Sequence, residues 1–301
     1  MMFFILVPIL LPAQPATFRA GVTLVKVDAA VTDRSGRIIA GLTPQDFEVF
    51  DENAPQKILY FEHESDPLDL LLLLDVSGSM HPSLAQLSAA ARAALRPLGS
   101  RDRGAVMLFA RSSMLSRKLT ADVAAVEREI QSASDAHDLG SGTAINAAIL
   151  AAAAYFHDET SNARRAILIV TDNLSLNYRI PDEQVIRELY GADATLNAIL
   201  IGKQRRPQPP KPGVYVNPDF TPADVFKLAD ATGGEALESR QAGESLQLMI
   251  ERIRSRYRLQ YEAPPAAPGQ LRQIRVQLAP AARSRYPQAA IRARAGYYAV
   301  Q

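Results

Sequence analysis

The feature that most constrains this chain is a set of four short runs, residues 70–74, 104–110, 166–171 and 194–201, that are apolar at nearly every position. A strand with one wet face alternates polar and apolar residues, whereas a strand apolar on both faces has to be covered on both sides. Segments of helical pattern separate the runs: 84–95, Ala-rich and closed by Pro97 and Gly99; 122–130; 144–156, small on nearly every face; and 182–190. Two more helices follow, one with Pro222 in its first turn, running to about residue 231 before Gly233 and Gly234, and one over 245–255. Doubly buried strands alternating with helices require a parallel sheet between two helix layers. The fold class is therefore α/β, a doubly wound, mostly parallel sheet flanked by helices.

The flanks read differently. Residues 23–31 alternate, 33–36 form a turn and 37–39 resume, which is a hairpin pattern; strands are expected at 47–50 and 57–62 around the turn residues Asp51, Glu52 and Asn53. Alternating strands return from Arg256, from Ile274 and from Ala290. The early segment is rich in acids, among them Asp28, Asp46, Asp51 and Asp66, and the late one in arginines, among them Arg256, Arg258, Arg272, Arg285, Arg292 and Arg294. Complementary charge implies that the two flanks meet as one small, β-sandwich-like domain. The division expected is 1–16 as an export segment, 17–66 with 256–301 as a discontinuous β domain, and 67–255 as the α/β domain. Several arginines alternate with Tyr, Leu, Ile or Val, which places them on the wet face of a sheet rather than in a nucleic-acid stripe. A net charge of +1 gives no electrostatic reason for binding nucleic acid or anionic membrane either.

Residues 3–11 are apolar apart from Pro8, too few for a bilayer span but enough for the core of a signal peptide, with Ala13 and Ala16 beyond. No Lys or Arg precedes the run and Gln14 is not small, so a first buried strand or a clipped start is the alternative. Export to the periplasm, cell surface or medium is the reading preferred. The stretch 203–219, with five prolines, reads as a connecting loop on the surface, in preference to a proline-rich ligand. Without cysteine there are no disulfides, thiolate nucleophiles or sulfur-ligated zinc.

The run 70–74 ends abruptly in Asp75, Ser77 and Ser79. The carboxyl end of a strand in an open α/β sheet borders the ligand crevice, and alternate spacing turns the three side chains one way. Run 166–171 delivers Asp172 to the same edge, and Gly140 and Gly142 allow a close-approaching loop that presents Thr143 at a helix start. Five hard oxygen donors suit Mg²⁺ or Mn²⁺, in preference to Ca²⁺, and far better than Zn²⁺ or Cu²⁺. The competing reading is that Ser79 or Ser83 merely caps the following helix.

The stretch DVSGS at 75–79, the threonine of SGTAI and the aspartate of VTDN resemble the metal ion-dependent adhesion site of von Willebrand factor type A domains. The element order over about 67–255 agrees, and RDRGAVMLFA and LADATGGEAL are similar to that family too. The flanks VDAAVTDRSGRIIAGLTPQDFEVFDE and YRLQYEAP resemble those of bacterial exported members. The resemblance implies a Rossmann-like core in which Ser77, Ser79 and Thr143 supply hydroxyl ligands while Asp75 and Asp172 bind the metal directly or through water. It implies a non-catalytic adhesion or assembly module, in which a protein partner's acidic side chain completes the coordination of Mg²⁺. The rim expected to meet that partner includes Met80, His81, Gly142 and Asn173, the last standing where the family usually has glycine.

Enzymatic readings have less support. A hydrolase would pair Ser77 or Ser79 with His63, His81, His137 or His157, yet no GxSxG elbow is present. An aspartyl-phosphate phosphatase would need a second aspartate where Ser77 stands, and neither a Walker motif nor GxGxxG occurs. An envelope structural or assembly role with a vestigial metal site is the third reading. His137, beside Asp138, reads as a solvated loop histidine in preference to a ligand or pH sensor, and Tyr297 and Tyr298 as packing residues.

Overall fold

The computed structural model describes residues 23–63, 66–136, 139–174, 180–202, 213 and 223–300. The export segment, His137 and, apart from Gly213, the proline-rich stretch lie outside the described residues. The chain begins with β1 (Leu24–Thr32), β2 (Phe47–Asp51), β3 (Ala54–Gln56) and β4 (Tyr60–His63). The core then runs β5 (Leu68–Asp75), α1 (His81–Ala94), β6 (Arg103–Phe109), β7 (Ser113–Thr120), α2 (Val123–Ser132), α3 (Ile145–His157) and β8 (Arg164–Thr171). It continues through α4 (Asp182–Gly191), β9 (Ala194–Ile201), α5 (Val225–Thr232), β10 (Ala236–Ser239) and α6 (Ala242–Arg254). The chain closes with β11 (Tyr257–Glu262), β12 (Leu271–Leu278), α7 (Pro280–Arg285), β13 (Ala290–Arg292) and β14 (Gly296–Tyr298).

The central sheet has the order β10-β9-β8-β5-β6-β7, parallel throughout except for the antiparallel edge strand β7. The leucines of β5 divide by parity. Leu68, Leu70, Leu72 and Leu74 pack with α1, α2 and α6 on one face, and Leu71 and Leu73 with α3, α4 and α5 on the other. All six are essentially solvent-free, and burying each side chain contributes roughly 1.5–3 kcal/mol, so β5 is anchored along its whole length.

Two further four-stranded sheets come from the flanks, β13-β1-β11-β4 and β14-β12-β2-β3. β1 pairs antiparallel with β11 and β2 with β12, so strands from before and after the core interleave. The details depart from the sequence pattern in three places. The hairpin return after β1 is a single bridge between Thr32 and Ile38. The segment 57–62 is not one strand, because β3 stays beside β2 while β4 crosses to β11 in the other sheet. The final alternating stretch likewise divides, β13 joining β1 and β14 joining β12.

The arginines of the flanks also depart from the sequence pattern. Arg256, Arg258 and Arg272 are buried rather than on a wet face, because the face that alternation assigns them is covered by a second layer. Arg258 pairs with Asp28 at 3.1 Å and Asp66 at 2.9 Å. Arg164, also buried, donates to the carbonyls of Ile253, Arg254 and Arg256 and so caps the C-terminal end of α6. Burial works to raise the Asp28 carboxyl, but Arg258 and Arg164 outweigh it and hold the group below its ordinary range.

A second buried carboxylate organises the other sheet. Asp51 Oδ1 accepts from Arg272 Nε at 2.7 Å and Nη2 at 2.6 Å, and Oδ2 accepts from the hydroxyls of Tyr261 and Tyr297, each at 2.9 Å. Burial and the adjoining carboxylate push the Tyr297 phenol up to about 12 and the Tyr261 phenol higher still. Tyr297 is thus a packing residue whose hydroxyl is committed to Asp51.

Candidate metal centre

The central sheet reverses direction of growth at β5. The chain builds outward through β6 and β7 on one side, then returns to β8, β9 and β10 on the other. A crevice at the carboxyl edge of such a switch point is where open α/β sheets place ligands. Asp75 is the last residue of β5 and sits between the ends of β6 and β8.

The Asp75 carboxylate is fully buried. Its Oδ2 accepts from the Thr171 hydroxyl at 2.6 Å and its Oδ1 from the Ser77 backbone N–H at 2.9 Å. Burial pushes the Asp75 carboxyl above its usual range; hydrogen bonds from Thr171 and Ser77 oppose this, and the neighbouring Asp172 charge adds to it. No described Lys, Arg or His acts on Asp75.

Ser77 and Ser79 follow in a tight 3₁₀ turn (Gly78–Met80), their hydroxyl oxygens 3.3 Å apart. Cis ligands around an octahedral Mg²⁺ at about 2.1 Å lie about 3.0 Å apart, so the pair needs little adjustment to share one ion. The capping reading loses its support here: α1 has Met80 at its N-cap, and no side-chain oxygen caps it.

The loop that carries Thr143 is stitched to the exit of β6. Ser112 N–H donates to Leu139 O at 2.9 Å, and Ala144 N–H donates to Ala110 O at 2.8 Å, which brings Thr143 beside the strand end paired with Asp75. Gly142 at φ +97° adopts a conformation that residues with a Cβ rarely take, so the loop depends on it. On the other side, Asp172 follows β8, and its Oδ1 accepts from Leu174 N–H at 3.1 Å. Asn173 takes a left-handed φ of +58° and donates its N–H to the Thr171 hydroxyl at 3.1 Å. Asparagine is among the few residues that tolerate this region, which accounts for its standing where glycine is usual.

Asp75, Ser77, Ser79, Thr143 and Asp172 therefore gather at one sheet edge from three loops. The donor set is all oxygen, and the buried, unpaired charge of Asp75 fits a hard divalent cation beside it. Among the described residues there is no cluster of three or more His, Cys, Asp or Glu that would hold a metal, so the hydroxyls are indispensable to any such site. Of the rim residues, His81 and Gly142 are exposed and Asn173 half-buried, but Met80 is not on the rim. Its side chain is fully buried under α1, where the 3₁₀ turn directs it into the core. Thr171 went unread in the sequence although it holds Asp75; its signal was a hydroxyl at the last position of the strand neighbouring β5.

Among the described residues neither Ser77 nor Ser79 hydrogen-bonds a histidine: His63 stacks on Tyr257, and His157 lies 3.9 Å from Glu188 at the end of α3. No helix among the described residues is long and apolar enough to cross a membrane.

The conserved hypothetical protein BatB from Bacteroides thetaiotaomicron is 17% identical, with 62% of this chain and 97% of that one covered, at a TM-score of 0.48. A von Willebrand factor type A protein from Catenulispora acidiphila is 14% identical over 92% of this chain and 75% of that one, TM-score 0.47. Proximal thread matrix protein 1 of the mussel byssus is 12% identical over 65% and 49%, TM-score 0.46. No curated protein sequence matches the chain. The family model of the von Willebrand factor type A domain matches residues 70–174, a span that starts within β5 and ends just beyond Asp172. Residues 70–174 are thus similar to a von Willebrand factor type A domain, and all five candidate oxygen donors fall inside the matched span.

Proposed function

We propose that the protein is a non-catalytic, metal-dependent binding module that holds an acidic side chain of a partner protein through Mg²⁺ or Mn²⁺. Domains of this family serve protein interaction in general, and the finer reading rests on one observation. A fully buried carboxylate, Asp75, lacks a cationic partner among the described residues, and the loops beside it carry hydroxyls and a second carboxylate that would suit a hard cation. When bound, the cation supplies a Lewis-acidic centre for a carboxylate from outside. Ser77, Ser79 and Thr143 would contribute hydroxyl oxygens and Asp172 the second negative charge, while Thr171 orients Asp75. His81 and Asn173 flank the point of entry and would shape which acidic segment fits. The reading includes export, with the module acting in adhesion or assembly outside the cytoplasm.

Titration calorimetry with MgCl₂ tests it directly. Asp75→Ala and Thr143→Ala are each expected to abolish Mg²⁺ binding while circular dichroism stays native. Unchanged metal affinity in both variants would overturn the assignment.

A further inference from the structure

A small cavity, lined by none of the candidate metal ligands, lies where the central sheet meets the first terminal sheet. Its volume is about 10 Å³, room for one water-sized particle. The core contributes Asn197 of β9, Glu235 ahead of β10, and Arg252, Ser255 and Arg256 around the end of α6; the terminal sheet contributes the end of β1 and Arg292 of β13. Three arginines thus face one glutamate across a space that admits a single small particle.

The polar groups around it are not balanced by protein partners. Arg256 is 4% exposed; its Nη2 donates to Gly233 O at 2.7 Å, but Nε and Nη1 have no hydrogen-bond partner among the described residues. Asn197 is 1% exposed; its Oδ1 accepts from Glu235 N–H at 3.2 Å, but Nδ2 is unpartnered. Arg252 Nη1 pairs with Glu235 and Nη2 donates to Gly36 O at 3.0 Å, leaving Nε unpartnered. Arg292 reaches Asp230, outside the cavity, at 3.4 Å. Every orphaned group is thus a donor. Arg252 and Arg292 have Glu235 and Asp230 as counter-charges and Asp28 acts on Arg256, so the case rests on the unpartnered donors: water accepts about two hydrogen bonds and has two protons of its own to place, whereas a halide accepts from every side.

We propose that this cavity is a binding site for a small monatomic anion, chloride under ordinary conditions, which joins α6 and β9 of the core to β1 and β13 of the terminal sheet. The carboxylate of Glu235 also lines the space, but it is held by Arg252 and leaves the lining with an excess of positive charge. Phosphate and sulfate are too large for it.

A ligand that binds only the folded state raises stability in proportion to its saturation. The melting temperature of the full chain is therefore expected to rise with NaCl and level off, whereas sodium gluconate at equal ionic strength, too bulky to enter, gives no saturable rise. Crystals soaked in NaBr are expected to show an anomalous peak between Arg256 and Asn197. Asn197→Asp places a fixed negative charge at the cavity and preserves the acceptor for Glu235 N–H; it is expected to fold and to lose the chloride dependence. Arg256→Leu should lose both the bromide peak and the chloride dependence. Equal responses to chloride and gluconate, a site refining as water with no bromide peak, or a chloride response unchanged in Asn197→Asp would each overturn the proposal.

Discussion

Replacing Asp51 by asparagine changes one atom's chemistry at a point that four donors share. In the wild type both carboxylate oxygens are used twice, Oδ1 by two nitrogens of Arg272 and Oδ2 by the hydroxyls of Tyr261 and Tyr297. An amide offers one accepting oxygen and one NH₂ group, so either the arginine or the tyrosine pair faces a donor. Two hydrogen bonds to a charged group are lost, each worth roughly 1.5–3 kcal/mol. Counted the other way, Arg272 becomes a buried cation without its counter-charge, a change of about 3–5 kcal/mol. These describe the same event and are not added; about 3–5 kcal/mol is the expected loss. With a urea slope of about 2 kcal/mol per M, the unfolding midpoint falls by about 1.5–2.5 M. Adding Arg272→Met to Asp51→Asn removes the stranded charge and is expected to recover much of that fall. The tyrosines give an independent reading: without the carboxylate, the phenol of Tyr297 should ionise below its wild-type value of about 12 in an ultraviolet titration. A midpoint for Asp51→Asn within error of wild type, or a double variant no more stable than the single one, would refute the reasoning.

Other substitutions test the loops and the packing. Asn173→Gly is expected to leave stability within about 0.5 kcal/mol, whereas Asn173→Val forces a β-branched residue to φ +58° and should cost about 1–2 kcal/mol in urea unfolding. Gly234→Ala would set a Cβ 1.7 Å from the carbonyl oxygen of Leu196, which is backbone and cannot swing away; a loss of about 3 kcal/mol or more is expected by calorimetry. Stability should also fall in acid. The N–H of Thr43, its hydroxyl and Arg285 hold the Asp46 carboxyl below its usual 3.8, and Arg258 with Arg164 does the same for Asp28 against its burial. For a depressed carboxyl the contribution is complete above the unfolded value and disappears as pH falls through the lower folded one. Urea midpoints measured from pH 6 to pH 2 are therefore expected to drop below about pH 4, and Asp46→Asn to show a shallower drop.

The central sheet, and the place of the candidate site at its carboxyl edge, are legible because their signals are local. Five leucines in succession admit one environment, and a carboxylate at the next position marks the strand's end. What escaped depended on partners distant in sequence. Alternation assigns Arg256, Arg258 and Arg272 to a face, but only the layer packed against that face decides whether it is wet. Strand β7 (SMLSRKLT) is a half-exposed edge whose register slips twice against β6, so it has neither a continuous apolar run nor clean alternation. β10 is four residues long and α7 six, too short for any period to show. Thr171 reads as the end of an apolar run; only the pairing of β8 with β5 turns its hydroxyl into a tether for Asp75. Met80 follows turn residues in the sequence and reads as one of them, while the 3₁₀ turn rotates it inward.

The interleaving of the flanks bears on the order in which the molecule assembles. The hydrogen bond from Tyr261 to Asp51 joins residues 210 positions apart, and among the described residues β1 has a single bridge to Ile38 nearby and finds its strand neighbours in β11 and β13. At a synthesis rate of roughly 5–20 residues per second, β1 and β2 wait on the order of ten seconds or more for those partners to emerge from the ribosome. The α/β core, whose strands pair within their own stretch of chain, has that interval in which to form first. The outer sheets then close last, when the carboxyl-terminal strands arrive, and until then the early strands present open edges that a chaperone or a neighbouring nascent chain can reach.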